Sequence, residues 1–159
     1  MRSIAMLAAV AMAVAVPALA EQPPAFDACQ LFTQADAEAA LGTSAQPPLE
    51  NPKAKRPKVI PACTYSAVRD GKPVAATAHF RFGKTDTDTQ KAFEDDRLKF
   101  QTKPLIIRGA DAAFWSGRTG EMNVRKGRTW VTLAVGPQSV AERDVEVARK
   151  AAEALVKKL

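Results

Sequence analysis

The cleanest pattern in the chain is a strict alternation from Val74 to Phe82, with Val74, Ala76, Ala78, Phe80 and Phe82 on one side and Ala75, Thr77, His79 and Arg81 on the other. A period of two belongs to a strand with one face in a core. Just upstream, Asp70-Gly71 is a hairpin-turn signal, and the β-branched and aromatic content of Val59 to Val68 predicts a partner strand carrying Cys63 and Tyr65. Three more strands are predicted, Ala112 to Ser116, Glu121 to Lys126 and Thr129 to Val135. They are separated by Gly117-Arg118-Thr119-Gly120 and by Lys126-Gly127, so they make an antiparallel meander. Pro104 and Gly109 bound a further short strand, Leu105 to Arg108.

Helical spacing replaces alternation in three places. Thr33 with Asp36 opens a short helix that runs to Leu41 and stops at Gly42. Thr87 or Asp88 caps a second helix reaching about Gln101, with Ala92, Phe93, Leu98 and Phe100 as its apolar stripe. Ser139 and Glu142 have capping-box spacing ahead of a long C-terminal helix, whose Val145, Ala148, Ala152, Leu155 and Leu159 share a face. The order of elements predicts an α+β domain: a twisted antiparallel sheet of about 5–6 strands with helices packed on one face.

Two segments stand outside that pattern. Residues 1–20 combine Arg2, an apolar run of 13 residues from Ile4 to Val16, and a close of Ala18-Leu19-Ala20, which is the pattern of a secretory signal peptide cleaved after Ala20. The run is short of the roughly 20 residues that span a bilayer, so no integral membrane segment is expected after cleavage. Removing the first 20 of 159 residues leaves 139, a single domain over 21–159. Within it, Pro47, Pro48, Pro52 and Pro57 alternate with Lys53, Lys55, Arg56 and Lys58, so about 45–58 is expected to be an exposed, basic, Pro-rich loop.

Export decides how the cysteines are read. A periplasmic or secreted protein works in an oxidising compartment, where Cys29 and Cys63, the only two cysteines, are expected to form a disulfide. Their spacing lacks the C-x-x-C arrangement of redox-active pairs, so the bond reads as a staple. The formal charge of +6 becomes +5 once Arg2 is removed, which suits an anionic envelope ligand or protein without selecting one. Both signs are mixed along the chain, and no nucleic-acid partner is expected.

Several short motifs carry a family resemblance. They are Ala28-Cys29-Gln30-Leu31-Phe32-Thr33 with Ala39-Ala40-Leu41-Gly42, the strand Cys63-Thr64-Tyr65, the run Gly109-Ala110-Asp111-Ala112-Ala113-Phe114-Trp115, and Met122-Asn123-Val124-Arg125-Lys126-Gly127. Together they resemble small exported bacterial domains and lipoproteins of unknown function, in which a C-x-L-x-T…L-G start, a C-x-W/Y strand, a G-x-G/A-D-x-A-F/Y/W turn and an L-x-V-x-K-G hairpin recur. The resemblance implies a disulfide and an α+β sheet domain similar to the Mog1/PsbP-like fold. The chain departs from the lipoprotein members in lacking their lipid-bearing cysteine, and the resemblance supplies no catalytic residues.

The residue inventory narrows the chemistry further. His79 is the single histidine, which leaves no imidazole set for a zinc site and little for a nucleophilic triad. Asp86-Thr87-Asp88 starts like a calcium loop, but Lys91 stands where the loop needs glycine and Arg97 where it needs glutamate. Asp95-Asp96 are adjacent on a helix and point in different directions. No glycine-rich phosphate loop is present, and no cofactor or metal is expected.

The remaining candidate is a sheet surface. With Val131, Leu133 and Val135 inward, alternation turns Trp130, Thr132 and Ala134 outward. Taking Met122, Val124, Ala112 and Phe114 as inward turns Asn123, Arg125 and Trp115 outward too, near His79 and Arg81. Such a face would stack on a sugar or base and hold an anionic group. The expected function is therefore a non-catalytic ligand- or protein-binding domain of the cell envelope. An inhibitor or accessory subunit of an envelope enzyme is the first alternative, and a hydrolase with an unrecognised carboxylate site the second.

Overall fold

A computed structural model describes residues 26–48 and 60–159. The expected signal peptide, the start of the mature chain and most of the Pro-rich basic loop lie outside the described residues. Four helices, α1 (Ala28–Leu31), α2 (Gln34–Leu41), α3 (Asp86–Lys99) and α4 (Val145–Val156), accompany six strands. The strands are β1 (Ala62–Arg69), β2 (Lys72–Phe82), β3 (Pro104–Leu105), β4 (Ala112–Ser116), β5 (Glu121–Lys126) and β6 (Thr129–Pro137). They form one antiparallel sheet in the order β1-β2-β6-β5-β4-β3, so the chain is α+β as its pattern predicts.

Local chemistry explains most boundaries. Thr33 caps α2 in a full capping box with Asp36, and Gly42 ends it in the left-handed region at φ 69°. Asp70 and Gly71 both take positive φ, 53° and 73°, as a two-residue type I′ turn requires, which sets the register Arg69↔Lys72 and everything above it. Strand ends differ from expectation by up to a few residues, and three boundaries differ in kind. Thr85, and neither Thr87 nor Asp88, caps α3 through the Asp88 N–H. Ser139 makes no side-chain cap; Val140–Glu142 is a 3-10 turn, and Asp144 caps α4 by accepting from Glu146 N at 2.7 Å. The strand expected over Leu105 to Arg108 shrinks to Pro104–Leu105, because the chain then turns through Gly109 at φ 84°, leaving Ile106 exposed and Ile107 buried.

The main core lies on the face made by Val74, Ala76, Ala78 and Phe80 of β2 with Val131, Leu133 and Val135 of β6 and Met122 and Val124 of β5. Helices α1, α2 and α4 pack on that face through Phe32, Leu41, Ala148, Ala152 and Leu155, as expected. Phe82, placed on this side by alternation, is 48% exposed at the strand end and stacks edge-on with Phe26. Helix α3 goes to the other face, so the helices do not all share one face as the element order predicts. Strand β2 sits inside the sheet and β3 at the far edge, so the connection between them must cross one face, and the first face is already occupied. Phe93 of α3 docks on Phe114 and Trp130 with ring centroids at 4.9 and 5.5 Å, a second and smaller core.

The Gly109-Ala110-Asp111 turn has a folding role. Asp111 Oδ2 accepts from the Gly127 N–H at 2.7 Å, and Asp111 N donates to Arg125 O at 2.9 Å, so the entry to β4 clasps the β5–β6 hairpin. The turn and the Lys126-Gly127 hairpin are therefore one unit. Replacing Asp111 by alanine leaves the Gly127 N–H without its acceptor and should cost about 1 kcal/mol. Chemical denaturation should show Asp111→Asn recovering most of that loss, because the amide oxygen still accepts.

Candidate ligand groove on the second sheet face

The strand register decides which side chains meet. His79 is opposite Thr132, Thr132 opposite Asn123, and Asn123 opposite Phe114; one step along, Arg81 is opposite Trp130 and Trp130 opposite Arg125. Opposed residues of an antiparallel pair project to the same side. The second face therefore carries His79, Arg81, Asn123, Arg125 and Trp130 together, as predicted. Trp115 is opposite Met122 and belongs to the first face, half-buried against the main core. The strand phase with Phe114 inward is therefore off by one residue here. Ala112-Ala113-Phe114-Trp115 is apolar on both sides because β4 is covered on both faces, so its alternation carries no phase.

Trp130 and Arg125 are structural. Trp130 is 5% exposed, packed edge-on by Phe93 and roofed by Arg81, whose guanidinium carbon lies 4.3 Å from the ring centroid. Trp130 thus offers no exposed stacking platform for a sugar or base. Arg125 is 7% exposed and pairs with Asp86 at 2.5 Å, the first residue of α3, and with Asp111 at 3.6 Å. It pins the start of α3 to the sheet, and its charge is committed there.

Beside the C-terminal turn of α3 the face opens into a groove of about 430 Å³. Buried Ser116, Asn123 and Thr132 contribute to its lining. His79, Arg81 and Ile60 line one part, Asp96 and Lys99 of α3 with its C-cap Phe100 another, and Thr119 and Glu121 the part next to the β4–β5 turn. Of the predicted surface, His79, Arg81 and Asn123 line this groove. Glu121, Ser116, Thr119 and Lys99 were not singled out in advance. Strand phase alone puts Glu121 on the same side as Asn123, a signal that was available.

The groove floor is held by hydrogen bonds. Asn123 Oδ1 accepts from Trp130 Nε1 at 3.0 Å and from Thr132 Oγ1 at 2.9 Å. An indole N–H only donates, so the amide oxygen must face Trp130 and the amide nitrogen the other way. Thr119 Oγ1 donates to Ser116 Oγ at 2.8 Å, which leaves the serine proton to donate onward. Asp96 and Glu121 are half-exposed and accept no hydrogen bond from a described residue, unlike the desolvated, positioned carboxylates that acid catalysis uses. Among the described residues no group of three or more His, Cys, Asp and Glu side chains is arranged to hold a metal.

Burial holds the His79 imidazole below its usual value near 6.5; Glu121 pulls it up and Arg81 pushes it down. The folded state therefore binds fewer protons than the unfolded state in the window below pH 6.5. Stability from this group is complete above about pH 6.5 and falls as the pH drops through that value toward the folded midpoint. As His79 is the only histidine, its ring resonances titrate alone by NMR. We expect a midpoint below 6.5; one at or above 6.5 would contradict the buried placement.

Cys29 and Cys63 form the expected disulfide, with Cα atoms 5.1 Å apart, tying α1 to β1 away from the groove. No family model matches the chain, and no curated protein or solved structure is significantly similar to it.

Proposed function

We propose that this chain is an exported, disulfide-stapled, non-catalytic domain of the cell envelope, periplasmic or secreted, that binds a small polar ligand in the groove beside α3. The address is supported by the leader pattern of residues 1–20, by the resemblance to exported bacterial domains, and by the disulfide. Among the described residues no helix is long and apolar enough to cross a membrane. The observation that carries the binding reading is the groove floor, where three buried polar side chains on neighbouring strands, Ser116, Asn123 and Thr132, face an open cavity. Burying polar groups is costly unless they are partnered, and a pocket of a few hundred Å³ with a few convergent polar groups is the usual form of a small-ligand site.

The test is capture of small molecules from an envelope extract by the mature, oxidised protein, followed by release and mass spectrometry. His79→Trp serves as the blocked variant because it puts a large ring at the half-buried groove wall. We expect a compound retained by the parent protein and lost by the folded variant. Retention of the same compounds by both proteins, or of none by either, would reject the groove as a binding site.

A further inference from the structure

We infer that the groove selects a small zwitterion, a molecule of amino-acid or dipeptide size carrying both a carboxylate and a protonated amine; this rests on the reading of the groove as the binding site. Asn123 is 4% exposed, its oxygen is occupied by Trp130 and Thr132, and its Nδ2 bonds to no described residue. A nearly buried amide with its oxygen locked offers two oriented donors. Ser116, 1% exposed, has its oxygen engaged by Thr119 and its proton free, so the floor presents donors and calls for acceptor oxygens on the ligand.

Charge placement supplies the rest. Arg81 on β2 stands opposite Trp130, and Glu121 on β5 stands opposite Ser116, so the two flank the Thr132–Asn123 floor from diagonal corners. Neither forms an ion pair with a described residue. Asp96 and Lys99, three residues apart on α3, add one charge of each sign and leave the balance unchanged. An anion alone would meet Glu121 and Asp96, and a cation alone Arg81 and Lys99. A neutral sugar would leave both corners unused. A carboxylate toward Arg81 and an ammonium toward Glu121 satisfy both corners, a carbonyl oxygen between them accepts from the Asn123 amide, and a cavity of about 430 Å³ accommodates a molecule of that size.

The two tryptophans make the test direct, because the Trp130 indole N–H is bonded to Asn123 whereas Trp115 lies on the opposite face. The mature, oxidised, ¹⁵N-labelled protein is titrated with glycylglycine, N-acetylglycine (carboxylate only), glycinamide (amine only) and glucose. Glycylglycine should shift the Trp130 indole resonance saturably and leave Trp115 in place, with the other three binding about tenfold weaker or worse. Arg81→Gln and Glu121→Gln, both at solvent-accessible positions, should each weaken glycylglycine about tenfold, and Glu121→Gln should bring N-acetylglycine level with it. An unchanged Trp115 resonance confirms that each variant is folded. Equal or tighter binding of a single-charge probe or of glucose at Trp130 would overturn the zwitterion inference and leave the groove as the site. No saturable shift with glycylglycine would also overturn it, with the groove then judged by the capture experiment. Movement of Trp115 in place of Trp130 would overturn both readings.

Discussion

Replacing Phe93 by alanine should destabilise the protein by about 3–5 kcal/mol, the range for deleting a fully buried phenylalanine ring. The loss should fall mainly on α3. That helix is strongly polar, and its buried residues are Thr89 and Phe93 alone. Thr89 donates to Thr85 O at 2.9 Å and to Arg128 O at 3.3 Å, and Gly83 packs so close that a Cβ there would come within 2.0 Å of the Thr89 hydroxyl. Phe93 supplies the apolar half of the attachment through its two ring contacts with Phe114 and Trp130. Hydrogen exchange should show α3 amides losing protection while β2, β5, β6 and α4 keep theirs, and Trp130 fluorescence should move to longer wavelength as its cover is lifted. Leu98→Ala, at a position 61% exposed on the same helix, should stay within about 0.5 kcal/mol of the parent. A Phe93→Ala loss below about 1 kcal/mol would mean that α3 is not seated on the second face.

Removing the Cys29–Cys63 bond by a double substitution to alanine should cost about 3–4 kcal/mol, from the loop-closure entropy of a separation of 34 residues. The bond ties α1, only four residues long and capped by Asp27, to β1 at the edge of the sheet. So short a helix has little stability of its own, and α1 should fray once released. Urea unfolding with and without reductant measures both effects. The released unfolded chain exposes more surface, so the urea dependence should steepen as the midpoint falls. A midpoint insensitive to reduction would show that the packing of Phe32 on Tyr65 of β1, and not the covalent link, holds this corner together.

Much of the fold was legible because its signals are local. Alternation in β2, the Asp70-Gly71 turn and the Thr33–Gly42 helix depend on steric and hydrogen-bonding preferences within a few residues. The terminal helix was equally clear, although its cap was misplaced: Ser139 to Glu142 has the right spacing, but the chain makes a 3-10 turn there and Asp144 does the capping. The site was legible in part. Strand phase brought His79, Arg81, Asn123, Arg125 and Trp130 to one face, and it failed at Trp115, where a strand covered on both sides has no polar phase to read.

The sequence by itself determined the α+β class, the pairing of two cysteines and the polar face of β2, since each rests on composition or on contacts between near neighbours. Only the tertiary structure decided what that face is for. The route of the chain from β2 to the far edge lays α3 over one half of the second face, which buries Trp130 and commits Arg125 to Asp86. The other half stays open, with Asn123 aimed into a groove between Arg81 and Glu121. Arg81 and Asp86 stand dozens of residues before Glu121, Asn123 and Arg125, and no local preference records which of these groups a crossing helix will cover.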